Sequence, residues 1–213
     1  MDAPALIRAL ALMGERLREQ KDWLSGLDAA CGDGDHGVSV ARGFEAVEEN
    51  ILAWAQLAPG PILRQCGRVL LSSTGGAIGP ILATFFSELG KACGDSGEID
   101  TPTMAVMLQA SLDGVTRLGG ARPGDKTLLD ALAPAVDSLR RDADDAVPLR
   151  RAMHRAAEAA AGGARETAGL VARQGRARYL GERSIGHPDP GAHTMAIILT
   201  AVADAIREEE PRA

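Results

Sequence analysis

The chain has 213 residues, 46% hydrophobic and 24% charged, which suits one globular domain spanning residues 1–213. Aromatic residues, which favour strands, make up only 3%, whereas the abundant alanines favour helices, so an all-β sandwich or barrel is excluded. The net charge of −6 comes without a basic cluster, which argues against binding to nucleic acid.

Targeting and cysteine patterns are also informative. The sequence shows no signal peptide and no apolar run of the ~20 residues that span a bilayer, so we expect a cytoplasmic protein with no membrane association. The three cysteines, Cys31, Cys66 and Cys93, are odd in number and far apart. This spacing predicts reduced thiols rather than a disulfide framework or a zinc site.

Apolar residues recur at three- and four-residue steps in eight windows, with no convincing period-two strand, which predicts an all-α protein. The last predicted helix leads into a solvated acidic run at residues 208–210. The first four helices are expected at about residues 4–21, 38 to before 59, 62–71 and 81–93. The fifth and sixth begin at about residues 102 and 128, and the last two span about 148–173 and 192–207.

Local signals refine several of these helices. Asp2 is the expected cap of the first helix, and Thr101 that of the fifth, with Pro102 at its first helical position. Pro134 lies inside the sixth helix and predicts a kink or an early break. Two adjacent glycines at 162–163 are expected to weaken the middle of the seventh helix.

The connection before the second predicted helix is unusually acidic. Asp28, Asp33 and Asp35 lie within eight residues, and carboxylates this close repel one another unless cations compensate. Magnesium prefers oxygen ligands shared with substrate phosphates, and a following helix N-terminus attracts anions, so a Mg-nucleotide site is the favoured interpretation. The spacing of these aspartates does not match that of a calcium-binding EF-hand loop, and a purely structural loop is the other alternative. The adjoining His36 could bind phosphate, ligate metal or act as a base.

Two further connections could contact a ligand. Residues 72–80 are rich in glycine and hydroxyls at the junction of two predicted helices, but no P-loop lysine follows. Residues 175–191 form a long link rich in arginine, histidine and proline. Links of this length in a compact domain are usually functional or disordered, so we interpret this one as a lid or nucleotide-contact loop.

Three motifs carry a family resemblance. GDGDHG at 32–37, GDKTLLDAL at 124–132 and GRARYLGERSIGHPDPGA at 175–192 occur in the same order as in the nucleotide-binding L subunits of dihydroxyacetone kinase, the DhaL family. The resemblance extends from about residue 27 to 199. It implies an eight-helix antiparallel up-and-down barrel whose nucleotide site is formed by glycine-rich loops at one end.

The resemblance also implies roles for individual residues. Asp28, Asp33 and Asp35 would hold two Mg²⁺ ions that bridge the diphosphate of ADP or ATP, and with His36 they would form the catalytic set. Ile78 and Leu128 depart from the usual residues of the family, as does the segment 193–195. The implied nucleotide contacts are His36, Gly37, Val38, Ser39, Ala77 and Ile78 at the phosphates, and Gly119, Leu128, Arg176, Asp189, Pro190 and Gly191 around the adenosine.

The implied activity is that of a phosphotransferase with an alcohol acceptor. The chain lacks the ketone-binding portion of the single-chain kinases, and GDGDHG differs from the PDGDTG expected of fatty-acid kinase domains. A phosphohistidine on an M subunit would phosphorylate bound ADP, and the γ-phosphate would pass to dihydroxyacetone on a K subunit. The alternatives are an ATP-exchanging kinase subunit for dihydroxyacetone or another small sugar ketone, and a nucleotide-sensing protein that binds a regulator and transfers nothing.

Overall fold

The computed structural model describes residues 1–206, so the predicted helix end at Arg207 and the acidic run at 208–210 lie outside the described residues. Within these residues the chain is all-α, as predicted, and no helix combines the length and apolarity needed to span a membrane. The α-helices are α1 (Ala3–Glu19), α2 (Lys21–Ala29), α3 (His36–Glu48), α4 (Pro59–Ser73), α5 (Ile78–Cys93), α6 (Thr101–Gly119), α7 (Leu129–Asp144), α8 (Leu149–Glu166) and α9 (Pro190–Ala205), with 3-10 helices at Ile51–Trp54, Thr167–Gly169 and Ala177–Ser184.

Eight of these helices form a closed ring. From α3 to α9 each helix packs against the next in the chain, and α1 contacts both α9 and α3 to complete the circle. Neighbours are antiparallel: Gly60 and Gly67 of α4, for example, approach Gly94 and Ala83 respectively along α5. The ring confirms the predicted eight-helix up-and-down barrel. The additional short helix α2 packs against α3 and α9.

The barrel interior is one continuous hydrophobic cluster. Phe44, Phe85 and Phe86 are almost fully buried and meet edge to face, with Phe86 6.0 Å from Phe44 and 5.2 Å from Phe85 between ring centroids. Such geometry aligns the positive ring edge with the negative ring face. All three predicted thiols are free, and Cys66 and Cys93 are buried in the barrel wall.

Two helix boundaries near residues 30–35, which we call the acidic loop, differ from the prediction. The segment after α1 was expected to lead directly into a loop, but residues 21–29 form α2, which buries only Leu24 and therefore has no recognisable apolar stripe. The next helix begins at His36, not near Val38, and ends at Glu48. Ile51 and Trp54, which fall within the range predicted for this helix, are buried but belong to a separate 3-10 turn.

Capping contacts explain two more differences. Asp100, and not Thr101, caps α6, because its carboxylate accepts a 2.9 Å hydrogen bond from the backbone N–H of Thr103. Thr101 is the first helical residue, and its hydroxyl donates to the carbonyl of Val147 at 2.7 Å. The predicted seventh helix, α8, ends at Glu166 and continues as the 3-10 turn 167–169 instead of reaching Arg173.

The helix α7 runs through Pro134 without the early break that was one of the two predicted outcomes. Proline lacks the N–H that would bond the carbonyl four residues earlier, which here belongs to Asp130. Gly163 of α8 packs against this carbonyl so closely that an added Cβ would lie 2.0 Å from the Asp130 oxygen and 3.0 Å from the Pro134 ring. The close approach of α7 and α8 therefore requires glycine at 163.

The neighbouring glycines 162 and 163 allow a matched test of this packing. Replacing Gly163 with Ala should lower the free energy of unfolding by ~1–3 kcal/mol, because the new methyl group forces α7 and α8 apart. Gly162→Ala should instead stabilise α8 by up to about 1 kcal/mol, since only an arginine nitrogen at 3.9 Å approaches that position. Urea denaturation of both variants checks this, and equal stability of the two would contradict it.

Candidate functional site

Four connections lie at one end of the barrel, because alternate loops of an antiparallel ring emerge on the same side. They are the segments 30–35, 74–77, 120–128 and 167–189, each of which precedes one of the helices α3, α5, α7 and α9. Side-chain contacts join three of them: Arg176 pairs with Asp33, and the Lys126 ammonium donates to the carbonyl of Ser184. The three motifs found in the sequence therefore meet at this end.

The acidic loop forms a compact carboxylate cluster. Asp28 lies near the end of α2, while Asp33 and Asp35 are exposed in the loop, and one carboxylate oxygen from each lies within 4.8 Å of the other two. Glycine permits this geometry, because a Cβ at Gly32 would lie 2.3 Å from the Asp28 Oδ1 and Gly34 has a φ of +78°. The structure thus brings together the three carboxylates that the sequence analysis singled out as candidate metal ligands.

The electrostatics of the cluster favour a hard cation. Partial burial raises the pKa of the Asp35 carboxyl, the charges of Asp33 and Asp28 raise it further, and only Arg176 opposes them. A divalent cation relieves such repulsion, and the donor set consists of carboxylate oxygens, which Mg²⁺ prefers. The residues present therefore fit a magnesium site, with Arg176 as the neighbouring positive group.

His36, the first residue of α3, connects the acidic loop to the last helix. Its ring Nε2 lies 2.8 Å from the Thr194 hydroxyl of α9, and its backbone N–H points to the Asp28 carboxylate at 3.4 Å. Burial lowers the pKa of His36 to about 4, although the charge of Asp28 opposes this shift. The imidazole is therefore neutral at physiological pH and is held in place by Thr194.

The two segments expected at the phosphates are adjacent. At the start of α3, Gly37 lies so close to α2 that a Cβ would be 1.9 Å from the carbonyl oxygen of Lys21. Val38 is half exposed, while the buried Ser39 faces Gly75 in the turn that leads into α5. Ala77 and Ile78 occupy the cap and first residue of α5.

An open cleft of about 530 Å³ lies beside this turn and is lined by residues of α3 and α4, together with Thr74 and Gly75. Its lining includes none of the three clustered carboxylates. The cleft is therefore not the cation site.

The residues expected around the adenosine are more dispersed. Leu128 is buried immediately before α7, and a Cβ on Gly191 would lie 3.7 Å from its Cβ, so the starts of α7 and α9 touch. Asp189 caps α9 through a 2.7 Å bond from the Ala192 N–H, with Pro190 as the first helical residue. Gly119 ends α6 at the same side of the barrel.

Two polar residues that shape the site were missed. Asp130 accepts from the N–H groups of Gly124 and Thr127, which fixes the turn before α7. The capping spacing of Asp130 three residues after Thr127 could have revealed this. Thr194, noted only as a departure from the family, orients His36, and no local signal predicts a contact across 158 positions.

Asp189 has an unusual environment for a helix cap. Burial raises the pKa of its carboxyl to about 7, against the hydrogen bond from Ala192 and the charge of Lys126, which favour ionisation. As pH rises, the Asp189 carboxyl of the unfolded chain, with a pKa of 3.8, ionises before that of the folded chain. The contribution of Asp189 to stability therefore decreases as pH rises from about 4 to about 7.

Asp189→Asn keeps the cap but removes this titration. The measurement uses protein freed of nucleotide and metal. Between about pH 5 and about pH 8, the free energy of unfolding should fall in the wild type by about 2 kcal/mol more than in Asp189→Asn. This value is already reduced for the partial exposure of the side chain. Asp100→Asn is the control, because hydrogen bonds from Thr103 lower the pKa of Asp100 and keep it ionised throughout this interval. Identical pH slopes for Asp189→Asn and wild type would refute the assignment.

Comparison with known proteins places this geometry in a family. Residues 30–204 match the DAK2 domain. The chain is 38% identical to the ADP-binding subunit DhaL of the PEP-dependent dihydroxyacetone kinase of Escherichia coli, over 95% of this chain and 97% of that protein. It is also 36% identical to the D-erythrulose kinase of Mycolicibacterium smegmatis, over 96% of this chain but 36% of that longer protein.

A solved structure gives the same result. The dihydroxyacetone kinase of C. freundii in complex with AMP-PNP and Mg²⁺ superposes with a TM-score of 0.71 and 26% identity, covering 95% of this chain and 34% of that one. The shared fold agrees with the closed ring of eight helices. With a domain match over most of its length and a full-length relative at 38% identity, the chain belongs to the DAK2 domain family of kinases and kinase subunits, as a DhaL-type member.

Proposed function

We propose that this protein is the nucleotide-binding phosphoryl-transfer subunit of a dihydroxyacetone kinase. The observation that carries the proposal is the convergence of Asp28, Asp33 and Asp35 within 4.8 Å at the loop end of the barrel. The similar structure from C. freundii was solved with AMP-PNP and Mg²⁺, and the similar protein from Escherichia coli is named an ADP-binding subunit. Both names agree with a Mg-nucleotide at such a cluster.

In this proposal the three carboxylates would hold two Mg²⁺ ions, which would supply charge neutralisation for the phosphates. His36 to Ser39 face the phosphates together with Ala77 and Ile78, and the neutral His36 ring, held by Thr194, adds no charge that would compete with a cation. Arg176, which the sequence analysis placed beside the adenosine, pairs with Asp33 of the cluster. It is therefore assigned here to the phosphate side of the site, since guanidinium groups pair well with phosphate oxygens.

The adenosine is assigned to the remaining loops. Gly119 and the buried Leu128 border one side, and the turn Asp189–Pro190–Gly191 borders the other, where Gly191 approaches Leu128. Leu128 is 5% exposed, so in this proposal it supports the adenine side of the site from within the core. Asp189, held by burial, shapes this side without exposing a full charge.

The full cycle requires two partner subunits. In the first step the P–N bond of a phosphohistidine on an M subunit breaks, and a P–O bond forms to the terminal oxygen of ADP. In the second step the bond between the γ-phosphorus and the β,γ-bridging oxygen would break as the phosphoryl group forms a bond to a hydroxyl oxygen of dihydroxyacetone on a K subunit. The hydroxyl proton would pass to a base, and ADP would be left on this protein. The PEP-dependent naming of the Escherichia coli relative supports this cycle.

A second candidate is an ATP-exchanging kinase subunit for dihydroxyacetone or another small sugar ketone. The similarity to D-erythrulose kinase, over 96% of this chain, favours it, because that relative is named as a kinase of a four-carbon ketose. The same carboxylates and loops serve both candidates. They differ in whether the nucleotide leaves the protein between turnovers.

Nucleotide content distinguishes the two candidates. Protein purified without added nucleotide, then denatured, should release about one ADP per chain and about two magnesium ions. Chromatography and metal analysis measure both. Empty protein that binds ATP reversibly, and that turns over with a K-type partner and ATP alone, would favour the exchanging kinase.

The carboxylates should be individually essential. Asp28→Asn, Asp33→Asn and Asp35→Asn each preserve size and remove a charged ligand, so we expect Mg²⁺-dependent ADP binding and phosphoryl transfer to fall by roughly 100-fold or more. Calorimetry and a coupled transfer assay measure these losses, with circular dichroism to verify the helices.

Asp22→Asn is the matched control, because Asp22 lies on α2, close in sequence to the cluster, but its side chain is 95% exposed. It should bind ADP as the wild type does. Retained binding and transfer in all three cluster variants would disprove the metal assignment.

A further inference from the structure

The long connection between α8 and α9 is closed at its base by hydrogen bonds. Near its two ends the N–H of Gly186 donates to the carbonyl of Ala168 at 2.7 Å, and the N–H of Asp189 donates to the Thr167 hydroxyl at 2.9 Å. Further in, the N–H of Ala172 donates to the buried Ser184 hydroxyl at 2.9 Å. Residues 173–183 project beyond this base, and we call them the arginine loop.

The arginine loop reaches the carboxylate cluster through one residue. Arg176 pairs with Asp33, whereas the next arginine, Arg178, lies over the exposed ring of Tyr179 at 4.7 Å from its centroid. The position of Arg176 relative to the cluster therefore depends on how firmly the base of its loop is fixed.

Lys126 lies at that base and contacts both sides of it. The residue is only 4% exposed, and its ammonium donates to the carbonyl of Leu170 at 3.0 Å and to that of Ser184 at 2.6 Å. These carbonyls lie on either side of the arginine loop. A backbone hydrogen bond from the Arg173 N–H to the Asp125 carbonyl, at 3.1 Å, also joins the turn that carries Lys126 to the start of the arginine loop.

The backbone of Lys126 shows that the turn is built around this side chain. Its φ is +63°, in the left-handed region that favours glycine. Asp130 fixes the turn through its bonds from Gly124 and Thr127, so the lysine is held in this conformation. Burial lowers the pKa of the ammonium, while the charges of Cys31 and Asp189 oppose that shift.

We propose that Lys126 is a positioning residue that clamps the base of the arginine loop and so places Arg176 at the carboxylate cluster. Lys126 does not touch the cluster itself; it acts through the two carbonyls of Leu170 and Ser184. The consequence for the bound nucleotide rests on the proposed function, whereas the clamping of the loop does not. The two parts can therefore be tested separately.

Limited proteolysis tests the clamp. Trypsin cleaves after arginine, and the arginine loop contains Arg173, Arg176, Arg178 and Arg183. In Lys126→Met, cleavage within 173–183, assigned by mass spectrometry, should be about 10-fold faster than in the wild type, because loss of the ammonium lets the base open. Lys126→Gly, which relaxes the positive φ and protects the fold, should show the same increase.

Thr101→Val is the control for a purely structural loss. It removes a buried bond from a hydroxyl to a backbone carbonyl at the opposite end of the barrel, with no contact to the arginine loop. It should lower the Tm as Lys126→Met does and leave cleavage at 173–183 unchanged. An unchanged cleavage rate in both Lys126 variants would overturn the clamp.

Release of ADP and Mg²⁺ tests the positioning role. Lys126→Met and Arg176→Gln should each accelerate ADP release about 10-fold, and the double variant should be no faster than Arg176→Gln, because residues acting on one element are not additive. Multiplied effects, or unchanged release despite faster cleavage, would overturn the role. If the wild type binds no nucleotide, the proposed function fails and the positioning role falls with it, while proteolysis still decides the clamp.

Discussion

The carboxylate cluster is the constraint around which the loop end of the barrel is organised. Asp28, Asp33 and Asp35 converge to within 4.8 Å, and Arg176, the one guanidinium among residues 1–206 that pairs with them, leaves an excess of two negative charges. Such a site is costly without a cation, because like charges at this distance repel one another. At Asp35, desolvation and then the charges of Asp33 and Asp28 raise the pKa of the carboxyl. The close backbone approach at Gly32 keeps the arrangement compact.

The ring of helices makes this convergence possible. A closed ring of antiparallel neighbours needs an even number of helices, and eight helices place four alternate connections on the same side. The short helix α2 does not disturb this parity, because it follows α1 and packs on α3 and α9 without becoming a member of the ring. Its end delivers Asp28 to the start of α3, where His36 and the acidic loop meet. Helices far apart in the sequence thus contribute to one site.

Most of the ring and the acidic loop could be predicted because their signals are local. The apolar spacing and the Asp2 cap located α1, and the density of carboxylates and glycines located the cluster. The helix α2 was not predicted because it buries only Leu24. The helix α7 runs through Pro134, where Gly163 of α8 packs against the carbonyl of Asp130, a contact between helices that the sequence around Pro134 does not show. Contacts such as His36 with Thr194 depend on helices meeting in space, which no local pattern encodes.

The polar residues beneath the cluster share one physical arrangement. His36 is kept neutral by burial and Asp189 is kept partly protonated, so neither adds a full charge to the floor of the site near neutral pH. The Lys126 ammonium donates hydrogen bonds to two backbone carbonyls. The strong charges that remain close together are the three carboxylates and Arg176. Because these neighbours add little charge, the three carboxylates dominate the local potential, which attracts cations to the cluster.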